Sequence, residues 1–427
     1  MSNSNSFYKI LSLDGGGSWA LIEAATLADI YGLDTPGRII LQQFDLAVAN
    51  SGGSIVLACL IFNLTPCQIL DILFDEMTRK SIFVLKPWYE KFLDFRKYSN
   101  EEKIKGLRSV FYHYSDKNWS DVELTKIYSE FDIKINTDII ITAFDYDRER
   151  AKLFRSNKSS KSAGISLSLS SEEKTTLVEA IHASSSAPVI FFDDPVILKN
   201  NNIKKRYWDG GVAGFNNPVM VGVLEALANG KVRNNIRVLS IGTGNKFLPI
   251  WQQETRYPDL YKKPQVSGLI NDIKLLAHAI TDDPPDNASY AAHIVLDGMT
   301  PNTNEIVTDG NIVRMNPLVK PIMLLGEWQL PNMFDLDEFK QITELDMDAI
   351  KKNDVELIKK LTLSWLMGGV GSIDNQGIRR DGGTLELEIG HETYLGSLTH
   401  WQSFDNHALT GNNWLINHAK VLAKLSS

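Results

Sequence analysis

The sequence predicts an α/β fold, and three segments predict it. In each, an apolar run of strand length stops at a glycine turn. Phe7 to Leu13 (FYKILSL) runs into Asp14-Gly15-Gly16-Gly17, and Trp19 to Tyr31 follows with helical spacing. Leu46 to Ala49 stops at Asn50-Ser51-Gly52-Gly53, and a long apolar segment, Ile55 to Leu64, follows. Ile236 to Ile241 (IRVLSI) closes at Gly242-Thr243-Gly244.

The second turn carries the chemistry. A sharp strand-to-helix turn forces its central serine into a strained backbone with the hydroxyl exposed, and only small residues fit two positions before and after. Those positions hold Ala49 and Gly53, so Gly-x-Ser-x-Gly stands here with alanine in its first slot. Ser51 is thereby a candidate nucleophile at a helix N-terminus, where backbone N–H groups and the helix dipole favour developing negative charge. A plain Gly/Ser-rich turn has the same composition. The first turn offers three glycine N–H groups to one anion. It is no P-loop, because no Gly-Lys-Ser/Thr follows, and its spacing does not fit the dinucleotide fingerprint.

Composition bounds the function. The 427 residues, 43% hydrophobic and 22% charged, allow one large α/β domain or two to three average ones. A net charge of -8 argues against a broad nucleic-acid surface. Two cysteines, Cys59 and Cys67, give no disulfide scaffold and fit a reducing, cytoplasmic setting. The polar start Met-Ser-Asn-Ser-Asn-Ser lacks a signal-peptide apolar region, and no stretch reads as a membrane span.

Thr65-Pro66 reads as an N-cap opening a helix from Cys67 to Thr78. From Lys80 to Trp119, aromatic residues such as Trp88, Phe92, Phe111 and Trp119 alternate with Lys and Arg. That mixture suits either a lipid–water interface or an insertion packed on its own domain. Asp138 to Phe144 and Ala151 to Phe154 read as a hairpin at a sheet edge. Ser156 to Ser171 reads as a serine-rich loop, and Thr175 to Ser185 as a helix that ends before Ala187-Pro188. Asp209 follows an aromatic run and precedes Gly210-Gly211, a tight turn that can hold a carboxylate rigidly. A helix is expected over Val219 to Ala228, another over Leu269 to Ile280, a short strand over Ile312 to Pro317, and mostly helix from Glu338 to Met367 with a break near Asn353. The tail from Gly368 is glycine-rich and polar, and its histidines have no metal-ligand spacing.

Taken together, Asp14-Gly15-Gly16-Gly17, Ala49-Asn50-Ser51-Gly52-Gly53 and Asp209-Gly210-Gly211, in that order, resemble the motifs of the patatin-like phospholipases. Weaker echoes are Ala183-Ser184-Ser185-Ser186-Ala187-Pro188 and Asn216-Asn217-Pro218. The resemblance implies a three-layer α/β/α fold with a mainly parallel central sheet and a mostly helical C-terminal extension. It implies a phospholipase domain over 7–367, with 80–119 as an insertion that could serve as lid or membrane contact, and an extension over 368–427 of open role. It implies lipid acyl hydrolysis by a Ser51–Asp209 dyad, with the N–H groups of Gly15, Gly16 and Gly17 as oxyanion hole, no metal and no cofactor. The implied partners are an acyl-lipid substrate and a membrane surface met peripherally, with an activator or oligomer left open. An acyltransferase or thioesterase on the same site, or a catalytically silent lipid-binding member, are the alternatives. The sequence departs from the family at Trp19 and Ala20, where arginine and glycine are usual, and at Ala49.

Overall fold

The computed structural model describes residues 7–86, 96–114, 121–130, 136–157, 174–200, 203–246, 248–249, 258–262, 266–268, 271–272, 275, 287–298, 311–319, 321–324, 327–331, 334–367, 379–380, 395–396 and 411–427. The aromatic residues Trp88, Tyr89, Phe92, Phe95 and Trp119, the serine-rich loop over 158–173, most of the helix expected over 269–280 and the Asp-Gly-Gly of the tail lie outside them.

A parallel core of five strands carries the fold. It runs β3 (Asp138–Asp145), β2 (Leu46–Ala49), β1 (Tyr8–Leu13), β7 (Ile236–Ile241) and, at the far edge, a strand over Ile312–Met315. Side chains alternate between two apolar layers. Leu11, Leu13, Ala47, Ala49, Ile139 and Ile141 face one core, shared with α1 (Leu21–Tyr31), α3 (Ser51–Ile61) and the helix Lys352–Leu366. Ile10, Leu46, Val48, Ile140 and Val238 face the other, with Val219 and Val223 of the helix Val219–Ala228 and Ala292 of the helix over 287–297. Burying both faces of a parallel sheet demands helices on both sides, which yields three layers.

The hairpin forecast for a sheet edge is found there, with β4 (Arg150–Arg155) outermost and pairing, among the described residues, only with β3, and β3 carries more partners than the forecast gave it. β3 pairs antiparallel with β4, and its other edge carries β2 over Asp138 to Ile141 and then β6 (Ile203–Asp209) over Ala143 to Asp145. Because β4 fills one edge from Ile140 to Asp145, β2 and β6 share the second and meet head to head. β5 (Val196–Asn200), unmarked by any sequence signal, pairs with β6 and closes that side.

Thr65 caps α4 (Pro66–Phe74) in a reciprocal capping box with Gln68, as Thr-Pro implied. The break expected near Asn353 falls earlier, at Leu345 to Lys351, between helices Leu336–Glu344 and Lys352–Leu366. Within residues 80–119, α6 (Asn100–His113) buries Leu107 and Phe111, and Tyr98 packs on Phe83 and Phe192, while Tyr112 is exposed. The C-terminal helix Gly411–Ser426 caps α1. Val421 and Leu425 are buried there, His418 Nδ1 lies 2.6 Å from Asp29 Oδ1, and Lys424 Nζ donates to Asp71 at 2.9 Å. Among the described residues no helix is long and apolar enough to cross a membrane.

Candidate active site

Strand register brings Ser51 and Asp209 together. β2 ends at Ala49, opposite Ile141; β6 ends at Asp209, opposite Ala143 on the same edge. Two strands arriving head to head leave one position of β3, Thr142, between their ends. The first residues beyond β2, Asn50 and Ser51, lie there against the carboxylate. Thr142, between the two partner positions, donates to Asn50 Oδ1 at 2.7 Å, and Asn50 Nδ2 donates to Asp209 Oδ1 at 3.0 Å.

Ser51 has φ of 45°, the left-handed region that a side chain adopts only under constraint, at a cost of about 1–3 kcal/mol. Its N–H donates to Ser184 Oγ at 2.9 Å, which holds the turn. Gly53 has no alternative at its position. A Cβ there would stand 2.5 Å from the Asp14 carbonyl oxygen and 2.8 Å from Leu13, where α3 crosses the end of β1. Ala49, two residues before Ser51, lies within the sheet between Leu13 and Ile141, and its methyl is fully buried.

The Asp209 carboxylate is buried and accepts from the Gly211 N–H at 2.7 Å as well as from Asn50. Burial pushes its pKa up. The Gly211 N–H, the facing Ser51 hydroxyl, Asn50 and the positive charge of Lys103 pull the other way without cancelling it. A carboxylate raised above its ordinary range can accept a hydroxyl proton and later return it.

The glycine loop lies against the elbow. Gly15 donates its N–H to the Asn216 carbonyl oxygen at 2.7 Å, so that donor is already engaged. The loop is braced by Thr243, whose hydroxyl donates to Gly15 O at 2.7 Å, and by the Asp14–Arg314 ion pair at 2.6 Å, both partners buried. Gly17 backs onto Gly52, where a Cβ would come within 2.8 Å of Gly17 N. A strap after helix Leu336–Glu344 covers the loop. Ser18 N–H donates to Met347 O at 2.9 Å, and Trp19 Nε1 donates to Asp346 O at 3.1 Å. Trp19, in the slot where the family has arginine, thus ties the loop to the strap. Lys246 places its ammonium 5.7 Å from the centre of that indole.

Of three supporting groups, two carried no sequence signal of their own and the serine run only a weak one. Asn50 sits at an unspecified position of the elbow motif. Ser184 and Ser186 belong to the serine run noted above: Asp209 N–H donates to Ser186 O at 3.0 Å. Lys103, only 1% exposed, comes from α6 and donates to the Ser185 carbonyl and, at 3.2 Å, to Ser186 Oγ. Burial drives its ammonium pKa down to about 7, against the opposing pull of Asp209. A base works only when ionised, and Lys103⁺ favours the ionised carboxylate. Lys103→Met is therefore expected to move the acid limb of the pH–rate profile to higher pH and leave the rate well above that limb little changed. An unmoved limb in a folded variant would remove the electrostatic role.

The model of the patatin-like phospholipase family matches residues 11–223, which hold both strand–turn–helix motifs and Asp209. The chain belongs to the patatin-like phospholipase family, whose general activity is lipid acyl hydrolysis. Among solved structures it is similar to VipD from Legionella pneumophila, at 10% identity and a TM-score of 0.37, covering 84% of this chain and 67% of that one. No curated protein matches it in sequence.

Proposed function

We propose that the protein is a lipid acyl hydrolase of the phospholipase A or lysophospholipase type, working through Ser51 and Asp209 at a membrane surface. The observation that carries the reading is the head-to-head meeting of β2 and β6, which sets a strained serine against a buried carboxylate. Ser51 Oγ attacks the ester carbonyl carbon while Asp209 takes its proton. The developing oxyanion is received by the N–H groups of the glycine loop. Gly16 and Gly17 are the donors favoured, since the Gly15 N–H is committed to Asn216. Asp209 returns the proton to the leaving alcohol as the ester C–O bond breaks. Water then attacks the acyl-serine with Asp209 again as base, and a free fatty acid leaves.

The chemistry is tested by labelling with a fluorophosphonate in the presence of phospholipid vesicles, followed by peptide mapping. We expect one phosphonylated peptide, carrying Ser51, and none in Ser51→Ala. Folded protein that stays unlabelled both with vesicles and with detergent would speak for a silent lipid-binding member.

A further inference from the structure

We propose that the paired hairpins β3–β4 and β5–β6 form the surface by which this protein docks on anionic phospholipid bilayers. The inference rests on the hydrolase reading for its purpose, though not for its evidence.

Placement comes first. β6 descends antiparallel to β3 and stops at Asp209, so its earlier residues lie beyond the end of β2 that bears Ser51. Lys204, five residues before Asp209, stands roughly 17 Å further out at strand spacing. β5 and the turn at 146–149 rise on the same side. The end of the sheet that carries the candidate site is therefore the end from which both hairpins project.

Their surface is basic in a chain of net charge -8. Arg148, Arg150, Lys199, Lys204 and Arg206 are exposed there, against exposed Asp147 and Glu149. Lys199 and Lys204 are direct cross-strand partners, both exposed. Like charges so placed destabilise a sheet, and neither has an ion-pair partner among the described residues. An arrangement that costs the fold stability is relieved by an outside anion. The next exposed pair is Ile197 and Arg206, with Ile197 51% exposed; Arg206 lies over the ring of Tyr146, itself 41% exposed. Between the hairpins is a cleft of about 420 Å³ walled by Arg148, Ile197, Lys204, Lys205 and Arg206, with Asp145 and Asp147. Cations with exposed apolar groups among them match headgroup phosphates over a hydrocarbon layer.

The test is sedimentation with phosphatidylcholine vesicles, with and without phosphatidylserine, on wild type and Lys199→Gln/Lys204→Gln, beside hydrolysis of a water-soluble short-chain ester. Each cation near an anionic surface changes binding about fivefold, so the double variant should bind phosphatidylserine vesicles about 25-fold more weakly. High salt should remove the difference. Ester hydrolysis should not change, and relief of the lysine pair should leave the variant at least as stable. Equal binding of wild type to both vesicle types, or a double variant that binds as wild type does, would overturn the proposal. Failure of wild type to cleave the soluble ester would count against the hydrolase reading alone, because the binding arm decides docking by itself.

Discussion

Asp209→Asn is expected to lower fatty-acid release by up to about 10⁴-fold, the range lost with a positioned general base. Ser51→Ala should cost about as much, and the double variant little more, because groups that act as one unit are not additive. The fold should survive the change to asparagine. The amide oxygen can still accept from Asn50 Nδ2 and the Gly211 N–H, which now meet Asp209 Oδ1 at 3.0 and 2.7 Å. What disappears is a buried charge. Burial raises the Asp209 pKa in the folded protein, so the folded state holds that proton more tightly than the unfolded one. Its contribution to stability is greatest below the unfolded pKa and declines as pH rises through the folded value. The variant lacks that decline, so above it Asp209→Asn should unfold at the same temperature as wild type or higher. Thermal unfolding and vesicle hydrolysis on one preparation check both halves. A variant retaining more than about a tenth of wild-type activity would end the assignment of Asp209 as base.

Local chemistry explains what could be read from sequence. Glycine spacing around Ser51 and after Asp14 is imposed by close backbone approach, and close approach leaves a short, legible pattern. Gly53 against the Asp14 carbonyl is one instance. The strands of the parallel core were legible because both faces are buried, which makes a continuous apolar run of Leu46 to Ala49 and a mostly apolar one, interrupted by Arg237 and Ser240, of Ile236 to Ile241. β5 was not. Its exposed residues, Ile197 and Lys199, and its charged partner strand give no periodic apolar signal. The pairing of β3 with β6, beside β2 on the same edge, was hidden because it is set by tertiary register, and no residue of β3 announces that further partner. Lys103 was hidden for a related reason. In sequence it is one basic residue among many in an aromatic-rich stretch. Its burial against Ser185 and Ser186 depends on where α6 packs.

Gly17→Ala is expected to lower kcat about 10²–10³-fold, the loss typical of one missing oxyanion donor, with a smaller change in KM. Two constraints act on this residue together. Its φ of +55° lies in the left-handed region, where a side chain is strained, and a Cβ there would run into the Met347 carbonyl oxygen. That carbonyl accepts the Ser18 N–H at 2.9 Å, so the strap cannot withdraw without breaking a hydrogen bond. On its other side Gly17 backs onto Gly52, beside Ser51. The loop has room to yield in neither direction, and the least costly response is rotation of the Gly16–Gly17 peptides away from the position where the oxyanion forms. The substitution thus acts on the transition state more than on substrate binding, which a kcat and KM measurement separates. Fluorophosphonate labelling of Ser51 should slow in parallel, since phosphonylation develops charge at the same place. Activity within about tenfold of wild type would show that the donors lie elsewhere, with the Gly52 N–H at the start of α3 the next group to examine.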